Sequence, residues 1–194
     1  LCQPFDKNRK GLILGEGASI LILESEESVV RRGAIPLAEV GGYGLACDAH
    51  HITRPHPEGS GSIAAMRQAI VSSGLTPADI DHVNAHGTAT PLNDVMEAAA
   101  LRRALGERAR HVPVSSVKGQ IGHTLGAAGA IEAASAVLSL LHGYLPPTVN
   151  HVTPDDGFDL DYIPNEARRV QVDAIVSNSF AFGGNNTALV VKRV

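Results

Sequence analysis

The sequence predicts an α/β fold in which helices cover the faces of a sheet. Three observations point there. Short apolar runs with strand character alternate with longer segments of helical spacing, and three of those runs end in polar, glycine-rich loops. No low-complexity tract or short repeat divides the chain, so its 194 residues read as one structural unit.

The elements follow in order. Residues 12–14 and 18–23 are rich in Ile and Leu and are divided by Gly15-Glu16-Gly17, which reads as strand with a close backbone approach between. Residues 35–40 make another short strand, followed by a turn at Gly41-Gly42-Tyr43-Gly44. Residues 62–73 carry Ile63, Met66, Ile70 and Val71 at helical spacing, with Gly74 as the stop. Thr76-Pro77-Ala78-Asp79 has the form of a helix-start turn, and residues 81–85 read as a buried strand. Residues 93–105 are an alanine-rich helix ending at Gly106, and residues 112–117 a strand. Residues 127–141 form a helix whose alanines permit close packing. Residues 174–179 and 187–191 are a closing strand pair around Phe182-Gly183-Gly184-Asn185-Asn186.

Composition narrows the function classes. Apolar residues make up 44% of the chain, enough for a packed core. Sixteen basic against twenty acidic side chains leave a net charge of −4, a poor balance for gripping nucleic acid. The one basic cluster, Arg102, Arg103, Arg108 and Arg110, reads as the solvated end of a helix. Two cysteines announce no disulfide framework, so a reducing, cytoplasmic setting is expected. No membrane span is expected, since the most apolar stretch, residues 126–141, is short and interrupted by Glu132. No signal peptide is evident, and the true amino terminus is expected upstream of Leu1.

Each of three strands ends in a loop that carries chemistry: Asn84-Ala85-His86-Gly87-Thr88-Ala89-Thr90, Lys118-Gly119-Gln120-Ile121-Gly122-His123, and Asn178-Ser179-Phe180-Ala181-Phe182-Gly183-Gly184. Ligands gather beyond strand ends in layered α/β sheets, so these loops are expected to meet at one site. Two imidazoles and a lysine converging there point to acyl chemistry. Imidazole N–H groups can donate to a developing oxyanion without any metal, and Lys118 can bias the local potential. Glu132, on the following helix, is placed to hold that lysine in a partly buried ion pair. Other chemistries fit less well. Asp48, His50, His51 and His56 lie close together but lack a Cys pair or His-Glu helix motif, so no metal site is expected. Gly15 and Gly17 lack the third glycine of a dinucleotide fingerprint. Gly59-Ser60-Gly61 is no nucleophile elbow and reads as an exposed connection.

Four runs together carry a resemblance that covers essentially the whole chain. They are Pro4-Phe5-Asp6 leading to Gly15-Glu16-Gly17-Ala18, His86-Gly87-Thr88-Ala89-Thr90-Pro91, Lys118 with Gly122-His123-Thr124-Leu125-Gly126-Ala127-Ala128-Gly129, and Asn178 to Gly184. In this order and spacing the chain resembles ketosynthases of the β-ketoacyl-acyl carrier protein synthase II type, shared by bacterial fatty-acid and polyketide systems. The resemblance implies a thiolase-like fold: two αβα halves stacked into a five-layered αβαβα unit, usually a homodimer. Residues 1–32 would end the first half and residues 33–194 form the second, so the other partner is the missing amino-terminal half.

The family reaction loads an acyl chain onto a cysteine, decarboxylates malonyl-carrier protein and joins the fragments. The resemblance assigns His86 and His123 to the catalytic pair, with Lys118 and its acidic partner Glu132. It assigns Thr88 and Thr90 to binding the phosphopantetheine arm of acyl carrier protein, with Thr53, Phe180, Phe182 and Gly183 also on the substrate side. Phe182 would be the gating ring, Ala181 part of its mobile loop, and Asp48 or His51 would hold a second loop against the first. No permanently bound cofactor is implied.

The nucleophile of the family lies upstream of Leu1, and neither Cys2 nor Cys47 matches it. This chain is therefore expected to be inactive alone. Lys10 stands where the family commonly has Asp, and Ala181 replaces the usual Gly. Two alternatives remain: a chain-length-factor-like subunit of a heterodimer, or a malonyl decarboxylase.

Overall fold

The computed structural model describes all residues from Leu1 to Val194. Its strands are β1 (Glu39–Cys47), β2 (His82–Asn84), β3 (Val114–Ser115), β4 (Tyr144–Leu145), β5 (Arg168–Arg169), β6 (Ala174–Ala181) and β7 (Asn185–Lys192). Its helices are α1 (Glu26–Arg32), α2 (Ser60–Ser72), α3 (Pro91–Leu105), α4 (Lys118–Ile121) and α5 (Ala128–His142).

Five strands form one mixed sheet in the order β1-β7-β6-β2-β3. The β1–β7 and β7–β6 pairs are antiparallel, whereas the β6–β2 and β2–β3 pairs are parallel. Side chains alternate across a strand, and the β6–β7 register shows what each face buries. Val176 opposite Val190 packs into the main core with Met66 and Ile70 of α2 and Leu101 of α3. Ile175 opposite Val191 packs instead with Ala136 and Leu140 of α5. Helices thus cover both faces, an αβα sandwich. Phe5 extends the main core from the amino-terminal segment, fully buried and stacked on Tyr162 with ring centroids 4.3 Å apart.

Capping chemistry sets most helix ends. In α3 the Thr90 hydroxyl accepts from the Asn93 amide at 3.3 Å, and Pro91 occupies the first turn, where its missing N–H costs nothing. In α5 Gly143 closes the helix in the left-handed region at φ 67°.

Several expectations are corrected. Residues 12–14 and 18–23 form no ladder. Only Leu14 makes an isolated bridge, to His123, and Ile20, Ile22 and Leu23 stay exposed. Apolar extended chain becomes strand only where a neighbour supplies hydrogen bonds, and no strand within these residues does. The strand expected at 35–40 begins at Glu39 and runs through the supposed glycine turn to Cys47. Those glycines serve packing: a Cβ on Gly42 or Gly44 would overlap the Ala69 or Ala65 carbonyl of α2.

Gly59-Ser60-Gly61 is no loose connection. Gly59 caps α2 at φ 62°, and both glycines are buried. The basic cluster is only partly solvated, since Arg102 pairs with Asp159 and Arg108 donates to the Ile80 carbonyl at 2.8 Å. Finally, a turn at Leu125–Ala127 extends α5 to Leu125–His142, eighteen residues long and apolar enough to cross a membrane by length and composition. It packs on the sheet and carries Glu132 inward, as a core helix does.

Candidate active site

The carboxyl ends of β2, β3 and β6 deliver three loops to one place. His86 follows β2, and its ring lies 5.4 Å from that of His123 at an interplanar angle of 83°. Phe180, near the end of β6, packs against His86 at 5.5 Å. Lys118 opens α4 just after β3, and its ammonium pairs with the Glu132 carboxylate of α5. This pair was expected to be partly buried; its side chains are 1% and 2% exposed. Burial pushes the Glu132 carboxyl up, and the adjacent ammonium pulls it back.

The imidazoles are held neutral. Burial first, then the positive charge of Lys118, lowers His123 to about 4 and His86 well below the ordinary histidine range. The Nδ1 of His123 accepts from the Leu125 amide at 3.1 Å, so its proton sits on Nε2 and that nitrogen is a donor. Buried polar atoms without hydrogen-bond partners include His86 Nδ1, Thr124 Oγ1, Glu132 Oε2 and Asn178 Oδ1. Such atoms cost free energy wherever they lie, and others, such as Arg9 Nε and Tyr162 Oη, stand outside these loops.

The backbone around each group is braced. Gly15 donates to the His123 carbonyl at 3.1 Å, and the His123 amide donates to the Ile13 carbonyl at 2.7 Å. A Cβ on Gly15 would overlap the Ile121 carbonyl, so the close approach read from Gly15-Glu16-Gly17 exists and serves the His123 loop. Thr88 and Thr90 share a hydroxyl–hydroxyl hydrogen bond of 3.0 Å, with Ala89 between them at φ 64°. A left-handed alanine stores strain, which is common where a loop is shaped for binding.

Four bracing residues escaped the sequence reading. Glu97 of α3, fully buried, accepts from the His86 and Gly87 amides at 2.8 Å each. Asn178 also donates to it at 3.3 Å, and burial raises its carboxyl. Asp94, one turn earlier, accepts from the Phe5 amide at 2.8 Å and is pushed up to about 7 by burial. Ser116 donates to the Gly87 carbonyl at 2.7 Å and so joins the His86 loop to the Lys118 loop. Asn150 ties Gly119 to Cys2 through its amide, at 3.1 and 2.9 Å. A signal existed for the two acids: Asp94 and Glu97 share a helix face with the core residues Leu101 and Ala104.

The remaining expected residues belong to the turn after β6 and to the segment after β1. Phe182 is 71% exposed on the turn after β6, and Ala181 and Gly183 are exposed beside it. Ala181 is extended at φ −135°, and Gly183 takes φ 81°. Asp48 holds its own segment to that turn: its amide donates to the Gly184 carbonyl at 2.8 Å, and its carboxylate accepts from Asn186 and from the His56 amide, each at 2.9 Å. His51 does not reach the turn; its Nδ1 accepts from the Thr53 and Arg54 amides. Thr53 is exposed in the same segment. No group of three His, Cys, Asp or Glu side chains is arranged to hold a metal. Cys47 ends β1 with its sulfur 3.6 Å from the Gly183 carbonyl, and Cys2 is buried with its thiol pushed up by burial.

Comparison with known proteins gives one consistent answer. The profile of the β-ketoacyl synthase C-terminal domain matches residues 37–152. The 3-oxoacyl-[acyl-carrier-protein] synthase 2 of Synechocystis is 48% identical over 98% of this chain, and that of Coxiella burnetii 45% identical over 99%. In each case the match covers 46% of the relative, so the chain spans about half the length of those proteins. Among solved structures, a beta-ketoacyl synthase from Burkholderia phymatum superposes over the whole chain with a TM-score of 0.94 at 42% identity, covering 47% of that chain. A type II polyketide ketosynthase, solved in complex with its acyl-carrier protein and bound to a hexaketide, gives 0.96 at 36% identity and the same coverage.

Proposed function

This chain belongs to the β-ketoacyl synthase family, and we propose that it forms the carboxyl-terminal half of a thiolase-like enzyme for decarboxylating Claisen condensation. Residues 1–32 complete the first half, and residues 33–194 are the second. The substrates are an acyl thioester and malonyl-acyl carrier protein, in fatty-acid or polyketide synthesis. The observation that carries the reading is the pair of neutral imidazoles 5.4 Å apart beside a buried Lys118–Glu132 pair.

In the reaction proposed, the malonyl carboxylate leaves as carbon dioxide and its electron pair passes onto the thioester as an enolate. The Nε2–H of His123 and an N–H of His86 donate to that oxygen, and Lys118 adds positive potential while keeping both rings neutral. The enolate carbon then attacks the acyl thioester carbonyl. A carbon–carbon bond forms, the carbon–sulfur bond breaks, and a cysteine thiolate leaves. Thr88 and Thr90 receive the phosphopantetheine arm, with Thr53, Phe180, Phe182 and Gly183 along the acyl path. Ala181, Asp48 and His51 belong to the loops that gate it.

The nucleophilic cysteine comes from outside Leu1–Val194. A catalytic thiol needs a depressed pKa, whereas burial raises that of Cys2. The Cys47 sulfur lies against the turn after β6, 3.6 Å from the Gly183 carbonyl. Retention of His86, Lys118 and His123 favours the enzyme over a chain-length-factor-like partner. Incubation of this polypeptide with acyl- and malonyl-carrier protein is expected to give neither an acyl adduct nor product. Together with an amino-terminal half it is expected to give β-ketoacyl-carrier protein. Stoichiometric acylation of Cys2 or Cys47 with product, read by intact mass, would contradict this.

A further inference from the structure

The segment that follows β1 carries three histidines within seven residues, His50, His51 and His56, and two of them are used in an unusual way. The Nδ1 of His51 accepts from the backbone amides of Thr53 at 3.0 Å and Arg54 at 3.2 Å. At the far end of the segment, Nδ1 of His56 accepts from the Glu58 amide at 3.2 Å. Each ring therefore plays the part that an Asn or Asp oxygen plays in a turn, His51 accepting from amides two and three residues on and His56 from the amide two residues on. An imidazole does this only while neutral, because its protonated form is a donor at both nitrogens.

The turn so held has a further contact. Between His51 and Thr53, the Ile52 carbonyl accepts from the Gly183 amide at 2.6 Å, which joins the segment to the turn after β6. We infer that this segment is an acid-sensitive latch: protonation of His51 withdraws the acceptor from Thr53 and Arg54, and Ile52 then releases Gly183. His56 acts the same way on Glu58.

The charged and titratable groups around the latch are few. Asp48, His50, Arg54, His56 and Glu58 belong to the segment itself, and Cys47 precedes it. From α3, Arg103 reaches the segment at the Glu58 carbonyl, 3.3 Å away. The Phe182–Gly184 turn contributes no ionisable side chain. The His50 and His56 rings lie 5.1 Å apart, whereas His51 makes no ring contact with either. Asp48 holds its part of the segment through carboxylate bonds that do not involve His51. The latch therefore opens at Ile52 while the segment's start stays anchored. Its consequence for acyl access rests on the function proposed above; the titration itself does not.

The experiment is an NMR titration of the full chain with labelled backbone amides and histidine rings. The Thr53, Arg54 and Gly183 amide signals are expected to shift with one midpoint, that of the His51 ring. Protection of the Gly183 amide, corrected for intrinsic exchange, should fall by about tenfold as the ring charges. His51→Asn keeps an acceptor in place but cannot charge, so it should retain the neutral-pH signals and lose the titration at all three amides. His51→Ala should show the acid signals at every pH. Amides that ignore the His51 ring, or a His51→Asn protein that titrates as before, would overturn the latch. Neither readout uses substrate, so a failed latch and a failed functional reading are told apart.

Discussion

Lys118 and Glu132 show how a charge can be placed where no water reaches it. Both side chains are essentially inaccessible, and each is tolerated only because the other is there. Lys118→Met alone should cost about 3–5 kcal/mol by stranding the carboxylate, and Lys118→Met with Glu132→Gln should recover most of that. The lysine also acts on its neighbours. Its charge helps keep His123 at about 4, so removing it in the double variant should raise the His123 midpoint, read by NMR. An unchanged midpoint would mean that burial alone sets it. This role for Lys118 was legible from its loop, and Glu132 from the helix that follows. Glu97 and Asp94 are harder to see, because Asp94 in the first turn resembles an ordinary dipole-matching residue and Glu97 an ordinary polar one until the helix face is plotted.

Glycines govern the packing of elements more than the sequence suggested. The run Gly41-Gly42-Tyr43-Gly44 has the composition of a turn, yet it is the middle of β1, with Gly42 and Gly44 bare so that α2 lies directly on the backbone. Gly44→Ala is therefore expected to destabilise by about 3 kcal/mol or more, at the top of the overpacking range. Gly74→Ala, at φ 76° with open space around it, should cost only about 1–2 kcal/mol. Urea midpoints compare the two, and equal losses would refute the close approach. Short strands and the small helix α1 were also missed. The signals for α1 were present: Ser25 caps Ser28, Glu26 and Glu27 open it, Arg31 and Arg32 close it, and Gly33 stops it at φ 61°. Its lack of any buried residue removed the apolar period on which the reading relied. The strands at residues 12–14 and 18–23 failed for the opposite reason: the apolar pattern is there and the pairing is not.

Across the whole molecule, buried imidazoles tie the fold to pH. His82 is fully buried between strands, bonded to Ser115 at 3.0 Å, and burial drives it down to about 3. Below about pH 6.5 the unfolded chain takes up a proton there that the folded chain refuses, so its contribution is lost progressively as pH falls from 6.5 to 3. Asp94 opposes this, because its raised pKa lets the folded chain hold a proton between about 4 and 7 that the unfolded chain releases. The net slope mixes both, but the difference between wild type and His82→Gln isolates one. The variant should lose stability less steeply by up to about 1.4 kcal/mol per pH unit, and parallel curves would contradict the assignment.

The central claim is that these residues supply the decarboxylating part of a condensing centre completed by another segment. It is tested most directly by carbon dioxide release from malonyl-carrier protein, measured beside self-acylation, in the complete enzyme with His86→Ala or His123→Ala. The account predicts a loss of about two to three orders of magnitude in carbon dioxide release for each variant, with most self-acylation spared. Near-normal release in both would contradict it, and would leave the two imidazoles as structural neighbours of a site whose chemistry lies elsewhere.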